Sequence, residues 1–330
     1  MSRFIPLGSL PLLFLIALFS CDFFSSEDDC LQTPWGIVPG EAYYLPEWHP
    51  SDSLIGYNHT VLRRIEYPHG PKCPGYFYFD EGTRGYWIMN RDGTGQRRLL
   101  PLDLWSADWS HDGNRIVFSF GPRIYTAQFD GENIDTLSFT LLTPEGNCSE
   151  PAWSPDDSWI AFDRSISDSF GPSGIWMMRP DGSEKQWLAG GGMPSWHPDG
   201  NSLIYVIGAG TSPGLGQRFV RYYLDSSPPD TMQVRLGAQN HFPKYSPDAT
   251  RIAFVSYYEG TNDLFLGDSL ARNITPLLTG GVYGFSWNRD GTSICYAYYS
   301  LYDFSYENGT LWEVKIPSGV KAQLTFNFPQ

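Results

Sequence analysis

From about residue 41 onward, hydrophobic and polar positions recur in one register. Six segments each carry an aromatic anchor: Trp48, Trp109, Trp153, Trp196, Tyr245 and Trp287. Three residues after the anchor stands an aspartate in five of the six segments: Asp112, Asp156, Asp199, Asp248 and Asp290, with Ser51 in the first. Seven residues after it stands Ile or Leu: Ile55, Ile116, Ile160, Leu203, Ile252 and Ile294. Nine residues after it stands another aromatic: Tyr57, Phe118, Phe162, Tyr205, Phe254 and Tyr296. The anchors lie 61, 44, 43, 49 and 42 residues apart, a period that marks a repeat architecture.

One repeat has a simple physical reading. The segment just after the anchor is a turn, as in Pro155-Asp156-Asp157 or Pro198-Asp199-Gly200. Pro presets φ, Asp bonds its own backbone, and Gly accepts a positive φ. Positions seven and nine point to one side of a strand, because strand side chains alternate. Position eight is also mostly apolar, as Val117, Ala161, Ile204, Ala253 and Cys295, so both faces of this strand are expected to be buried. A further strand follows each time, as in Tyr86-Trp87-Ile88-Met89 and Ile175-Trp176-Met177-Met178, and then a shorter one such as Arg97-Arg98-Leu99-Leu100. Counting the strand with the anchor, each repeat has four strands. Four-stranded repeats of this length predict propeller blades, which bury their faces by stacking around a ring. The expected fold is all-β: a six-bladed β-propeller of four-stranded antiparallel blades over residues 41–330.

Composition agrees. Aromatic residues make up 16% of the chain, and Gly and Pro together supply 60 of its 330 residues, which disfavours a helical bundle. The net charge of −14 argues against a nucleic-acid partner, since phosphate binding needs clustered Lys and Arg.

Residues 1–20 read as an export signal. Arg3 precedes an uncharged, mostly apolar run from Phe4 to Phe19, too short for a typical membrane-spanning helix. The run ends in Leu18-Phe19-Ser20-Cys21, which resembles a bacterial lipobox. That resemblance implies a lipid-modified Cys21, a tether over residues 21–40, and an envelope location, periplasmic or surface-exposed. Ordinary cleavage near Ser20 and a single anchor helix stay open, and both still export the chain. Of the other cysteines, Cys295 sits in an apolar strand and is expected to be a buried free thiol. Cys30, Cys73 and Cys148 lie in loop-like stretches, and Cys30 with Cys73 is the simplest bridge in an oxidising compartment.

No catalytic constellation emerges, and neither metal nor cofactor is expected. Gly210-Thr211-Ser212-Pro213-Gly214 matches G-x-S-x-G, but Pro213 has no N–H for an oxyanion hole. The repeated aspartates recur once per blade in a turn, so they are expected to stabilise turns. The histidines show no zinc-binding spacing, with His59, His69 and His241 expected in loops.

The repeat closely resembles the TolB-type propeller repeat, W-S-P-D-G followed by I-A-F and then I-Y-x-M-x-x-D-G. Residues 152–162 and 175–182 match it best, and the likeness runs over nearly the whole chain beyond Cys21. Neither the extra α/β domain of TolB proper nor the hydrolase domain of prolyl-oligopeptidase-type propellers is expected in this chain. The resemblance implies fold more than function. The expected role is a non-catalytic scaffold that binds an envelope protein or peptide. A glycan-binding or lyase-like propeller and a spacer without ligand are the alternatives.

The expected binding face follows from topology. In an antiparallel four-stranded blade the second turn and the interblade link share one face of the ring. The second turns here vary in length, and variable loops on a rigid scaffold are where binding resides. Those of blades five and six concentrate tyrosine and acid, so Tyr257, Tyr258, Tyr299, Tyr302, Asp303 and Tyr306 are the expected contacts.

Overall fold

Every repeat folds as one antiparallel sheet in a computed structural model that describes residues 40–66, 76–208, 217–234, 236, 239–299 and 309–326. Blade one holds β1 (Gly40–Trp48), β2 (Leu54–Glu66), β3 (Tyr76–Phe79), β4 (Gly85–Asn90) and β5 (Arg97–Leu100). Blade two holds β6 (Ser106–Trp109), β7 (Arg115–Phe120), β8 (Arg123–Phe129) and β9 (Ile134–Leu141). Blade three holds β10 (Cys148–Trp153), β11 (Ile160–Arg164), β12 (Gly174–Met178) and β13 (Gln186–Ala189). Blade four holds β14 (Gly192–Trp196), β15 (Ser202–Ile207), β16 (Arg218–Tyr223) and β17 (Asp230–Met232). Blade five holds β18 (Gln239–Tyr245), β19 (Arg251–Tyr258), β20 (Thr261–Asp268) and β21 (Thr275–Leu278). Blade six holds β22 (Val282–Trp287), β23 (Ser293–Tyr298), β24 (Thr310–Lys315) and β25 (Lys321–Gln323). Blade one departs from four strands, because β2 runs on past β4 and pairs there with β3.

The register places the repeat positions as alternation demands. The position-nine aromatics Tyr57, Phe162 and Tyr296 pair across the sheet with Trp87, Trp176 and Trp312. Position eight is sealed: Val117, Ala161, Ile204, Ala253 and Cys295 have no exposed surface. All six anchors are buried between blades, and Cys295 is a free buried thiol as expected. Cys148 differs from expectation, because it begins β10 and is a buried free thiol rather than a loop residue. Cys30 and Cys73 lie outside the described residues.

The aspartates do stabilise turns. Oδ1 of Asp112, Asp156 and Asp248 accepts the hydroxyls of Ser110, Ser154 and Ser246 at 2.6, 2.7 and 2.6 Å. Oδ1 of Asp290 accepts the side-chain amide of Asn288 at 2.6 Å. These bonds, foremost those from Ser154 and Ser246, hold the Asp156 and Asp248 carboxyls below their ordinary range. The next residue must adopt a left-handed backbone. Gly113, Gly200 and Gly291 do so at φ near 70°, while Asp52, Asp157 and Ala249 accept the same conformation without being glycine. Two of those departures have a use. Asp157 reaches into blade two and accepts the N–H groups of His111 and Asp112, and Asp52 accepts that of Arg289 in blade six.

Among the described residues each blade is built from one contiguous stretch of chain, with no strand exchanged where blade six meets blade one. Side chains latch that seam. Arg91 pairs with Asp52 at 2.8 Å and with Glu313 at 2.7 Å, and the Trp48 N–H donates to Ser286 Oγ at 3.1 Å.

Candidate functional site

The first strand of each blade faces the ring axis, where β1 touches β22 and β6, β6 touches β10, β10 touches β14 and β14 touches β18. In five of the six blades this strand carries a bulge, with Leu45, Glu150, Met193, Phe242 or Gly284 in the left-handed region three residues before the anchor. Blade two alone pairs without interruption. Sequence periodicity missed these bulges, because an added residue in a strand leaves the anchor spacing between blades free to absorb it.

The residue just before the anchor forms an axial ring: Glu47, Asp108, Ala152, Ser195, Lys244 and Ser286. Lys244 Nζ reaches Glu47 Oε2 at 2.9 Å, although 197 residues and one whole blade separate them. Ser286 Oγ donates to Glu47 Oε1 at 2.6 Å, and Asp108 Oδ2 accepts the Trp153 N–H at 2.6 Å. Glu150 and Asp163 extend the acid cluster. Burial, reinforced by the charge of Asp163, pushes the Glu150 carboxyl up to about 8. Burial, reinforced by Glu47, also raises Asp108 well above the usual carboxylate range, against the opposing pull of Lys244.

Both acids have folded values above their unfolded ones, so they favour the fold when protonated. Their penalty is absent below about pH 4 and grows as pH rises through the folded values. Glu150→Gln removes one of these ionisations. It should raise stability by about 1–2 kcal/mol at pH 8.5 and by much less at pH 5. Urea titrations at the two pH values check this, and an equal effect at both would contradict the axial account.

The binding face expected from topology carries exposed aromatics. Tyr257 is 47% exposed and Tyr283 is 49% exposed. Trp105 stands exposed in the link before β6, and Phe170 in the second turn of blade three. Tyr299 is half-buried; its N–H donates to Gly281 O at 2.8 Å and its ring meets Tyr283 edge-on at 5.0 Å. Tyr302, Asp303 and Tyr306 lie outside the described residues, as do Ser212 and His69.

Tyr257 and Tyr258 are not loop residues. They end β19, and Thr261 opens β20 directly after a two-residue turn in which Glu259 and Gly260 both have positive φ. Tyr and Thr favour strand, and Gly260 permits the tight turn, so the hairpin closes early. His59 and His241 likewise sit in strands, β2 and β18. His59 is buried, stacked on Tyr43 with ring centroids 4.3 Å apart, and bonds Glu41 Oε1 at 2.7 Å. Among the described residues, no group of three or more His, Cys, Asp or Glu side chains could hold a metal ion.

A cavity of about 370 Å³ opens in blade three, where Phe162, Phe170 and Trp176 face Arg164, Lys185 and Glu145. Sequence reasoning missed it. Its walls come from β11, β12, the turn between them, the turn before β13 and the link from blade two, and the repeat pattern assigns only Phe162 and Trp176 among these residues.

Comparison with known proteins places the fold. No family model matches the sequence, and no curated protein matches it. Among solved structures, TolB from Acinetobacter baumannii superposes with a TM-score of 0.61 at 14% identity, covering 85% of this chain and 78% of that one. A protein assigned as TolB, from Agrobacterium tumefaciens, gives a TM-score of 0.56 at 19% identity over 70% of this chain and 84% of that one. The tricorn protease gives 0.59 at 12% identity over 89% of this chain and 27% of that one. The architecture is therefore that of a TolB-like six-bladed propeller, at identities that speak for fold alone.

Proposed function

We propose that this TolB-like propeller is a non-catalytic scaffold that binds a protein or peptide in the bacterial cell envelope. The observation that carries the reading is the set of aromatic side chains held exposed on the second-turn face, Phe170, Tyr257 and Tyr283 among them. Aromatic side chains on a rigid support lose little entropy on contact and commonly dominate interface energies. Sealed blade interfaces supply that rigidity, so partner binding requires no ordering of the ring itself.

The charge of the chain fits an envelope protein that avoids nucleic acid, and the apolar run that ends in Leu18-Phe19-Ser20-Cys21 supports export and attachment through a lipid. Affinity capture from detergent-solubilised envelopes tests the scaffold role. A partner should be recovered reproducibly, and a Tyr257→Ala/Tyr283→Ala double variant should lose about tenfold in affinity with its melting temperature unchanged. Equal capture by the double variant would sink this assignment of the face. Cys21→Ser should release the protein from membranes; unchanged partitioning would contradict lipid anchoring.

A further inference from the structure

The cavity in blade three brings together three properties that neither the axial ring nor the tyrosine face combines: a concave shape, an aromatic wall and cationic donors. Its size suits one amino-acid side chain and the atoms next to it, at the small end of ligand sites. Trp176 and the tip residue Phe170 supply apolar surface.

The turn that carries Phe170 is built rather than loose. Arg164 lies inside it with its side chain 2% exposed. Its guanidinium donates to Ile166 O at 3.2 Å, to Gly171 O at 2.9 Å and to Asp168 Oδ1 at 2.6 Å. Asp168 and Gly171 exchange backbone hydrogen bonds, and Trp176 Nε1–H donates to Pro172 O at 3.0 Å. The outcome of this bracing is that Phe170 stands 67% exposed on a fixed support. An apolar ring held out in water by so many bonds is pre-organised for contact.

The polar wall is short of acceptors. Arg164 Nε–H is buried with no partner. Lys185 Nζ donates to the two carboxylate oxygens of Glu145 at 2.9 and 3.1 Å, and an ammonium has three N–H groups. A carboxylate is the acceptor that charged donors bind most strongly. A group that suits this lining carries a carboxylate and an apolar group within one residue's reach of each other. A peptide's C-terminal residue does this, since its α-carboxylate and side chain leave the same carbon. Ile166 and Trp187, exposed on the same blade, extend the apolar surface for the residues before it, where a glycan would need hydrogen-bonding groups instead.

We infer that the blade-three cavity captures the free C-terminus of a partner peptide ending in a large apolar residue, with the carboxylate at Arg164 and Lys185 and the side chain against Trp176 and Phe170. This rests on the scaffold reading above and gives it a chemical class of partner.

Titration calorimetry with N-acetylated tetrapeptides ending in Leu, Phe or Trp tests it, each as free acid and as C-terminal amide. The free acids should bind at least about tenfold tighter than the amides. Phe170→Ala should weaken the free acids at least about tenfold at unchanged melting temperature, because the side chain is exposed and its turn is held by other bonds. Lys185→Gln should narrow the difference between acid and amide. Equal binding of acid and amide overturns the inference. So does no binding by any of the peptides up to about 5 mM, and so does binding of glucuronic acid in their place. If envelope capture succeeds while the acid and amide peptides bind alike, only the cavity assignment fails and the scaffold reading stands.

Discussion

Lys244→Met should destabilise the propeller by about 2–4 kcal/mol at pH 7.5, a fall of about 5 °C or more in melting temperature, and the loss should shrink at pH 5. Among the described residues, Lys244 is the cation that faces the axial acids Glu47, Asp108 and Glu150. Removing it leaves Asp108 and Glu47 facing each other without that cation. The magnitude lies below that for fully buried pairs, because the Lys244 side chain keeps 32% of its surface exposed and solvent screens part of the repulsion. The sign of the pH effect follows from the raised carboxyls. Acid protonates Asp108 and so removes the repulsion from Glu47 that Lys244 opposes. Lys244→Arg keeps the charge and should recover most of the loss. Scanning fluorimetry across pH reads all of this, and equal melting of Lys244→Met and the unaltered protein at pH 7.5 would remove the electrostatic account of the axis.

Gly174→Ala should be worse, with a loss of more than about 3 kcal/mol and little folded protein at 37 °C. Gly174 opens β12 at φ 129°, where an L side chain is strained. A Cβ there would stand 2.2 Å from Ala189 O and 3.0 Å from Gly190 Cα, both backbone atoms of the segment that ends β13. Gly85 opens β4 in blade one with the same problem, its Cβ 2.1 Å from Leu100 O at φ 149°. Two blades thus use glycine where the outer strand folds back over the start of the third. Gly190→Ala is the control, since its Cβ would meet nothing within 4 Å. Urea denaturation followed by circular dichroism distinguishes the two. A Gly174→Ala protein as stable as the Gly190→Ala control would show that the close approach relaxes freely.

By itself the sequence determined the number of blades, the order of strands within them and the layers of the core. These follow from local rules: a turn of fixed length sets the register, and alternation then sends Ile55, Tyr57 and their five counterparts to the same buried side. The same locality legislated for the turn aspartates, whose partners lie within two residues. It was a poorer guide at strand ends. Tyr257 and Tyr258 looked like loop because apolar alternation stops near them, yet pairing with Asn262 and Thr261 carries the strand on. What only the tertiary structure decided depends on ring closure. Lys244 meets Glu47 from 197 residues away, Arg91 latches Glu313 from 222 away, and Lys185 reaches Glu145 across a blade boundary 40 residues back. Charges in a sequence carry no sign of which others they will face, since a residue one step before an anchor is equally Ala152 or Asp108 by the local rule. The closing of six sheets around one axis selects the partners, and with them the pKa values and the cavity in blade three.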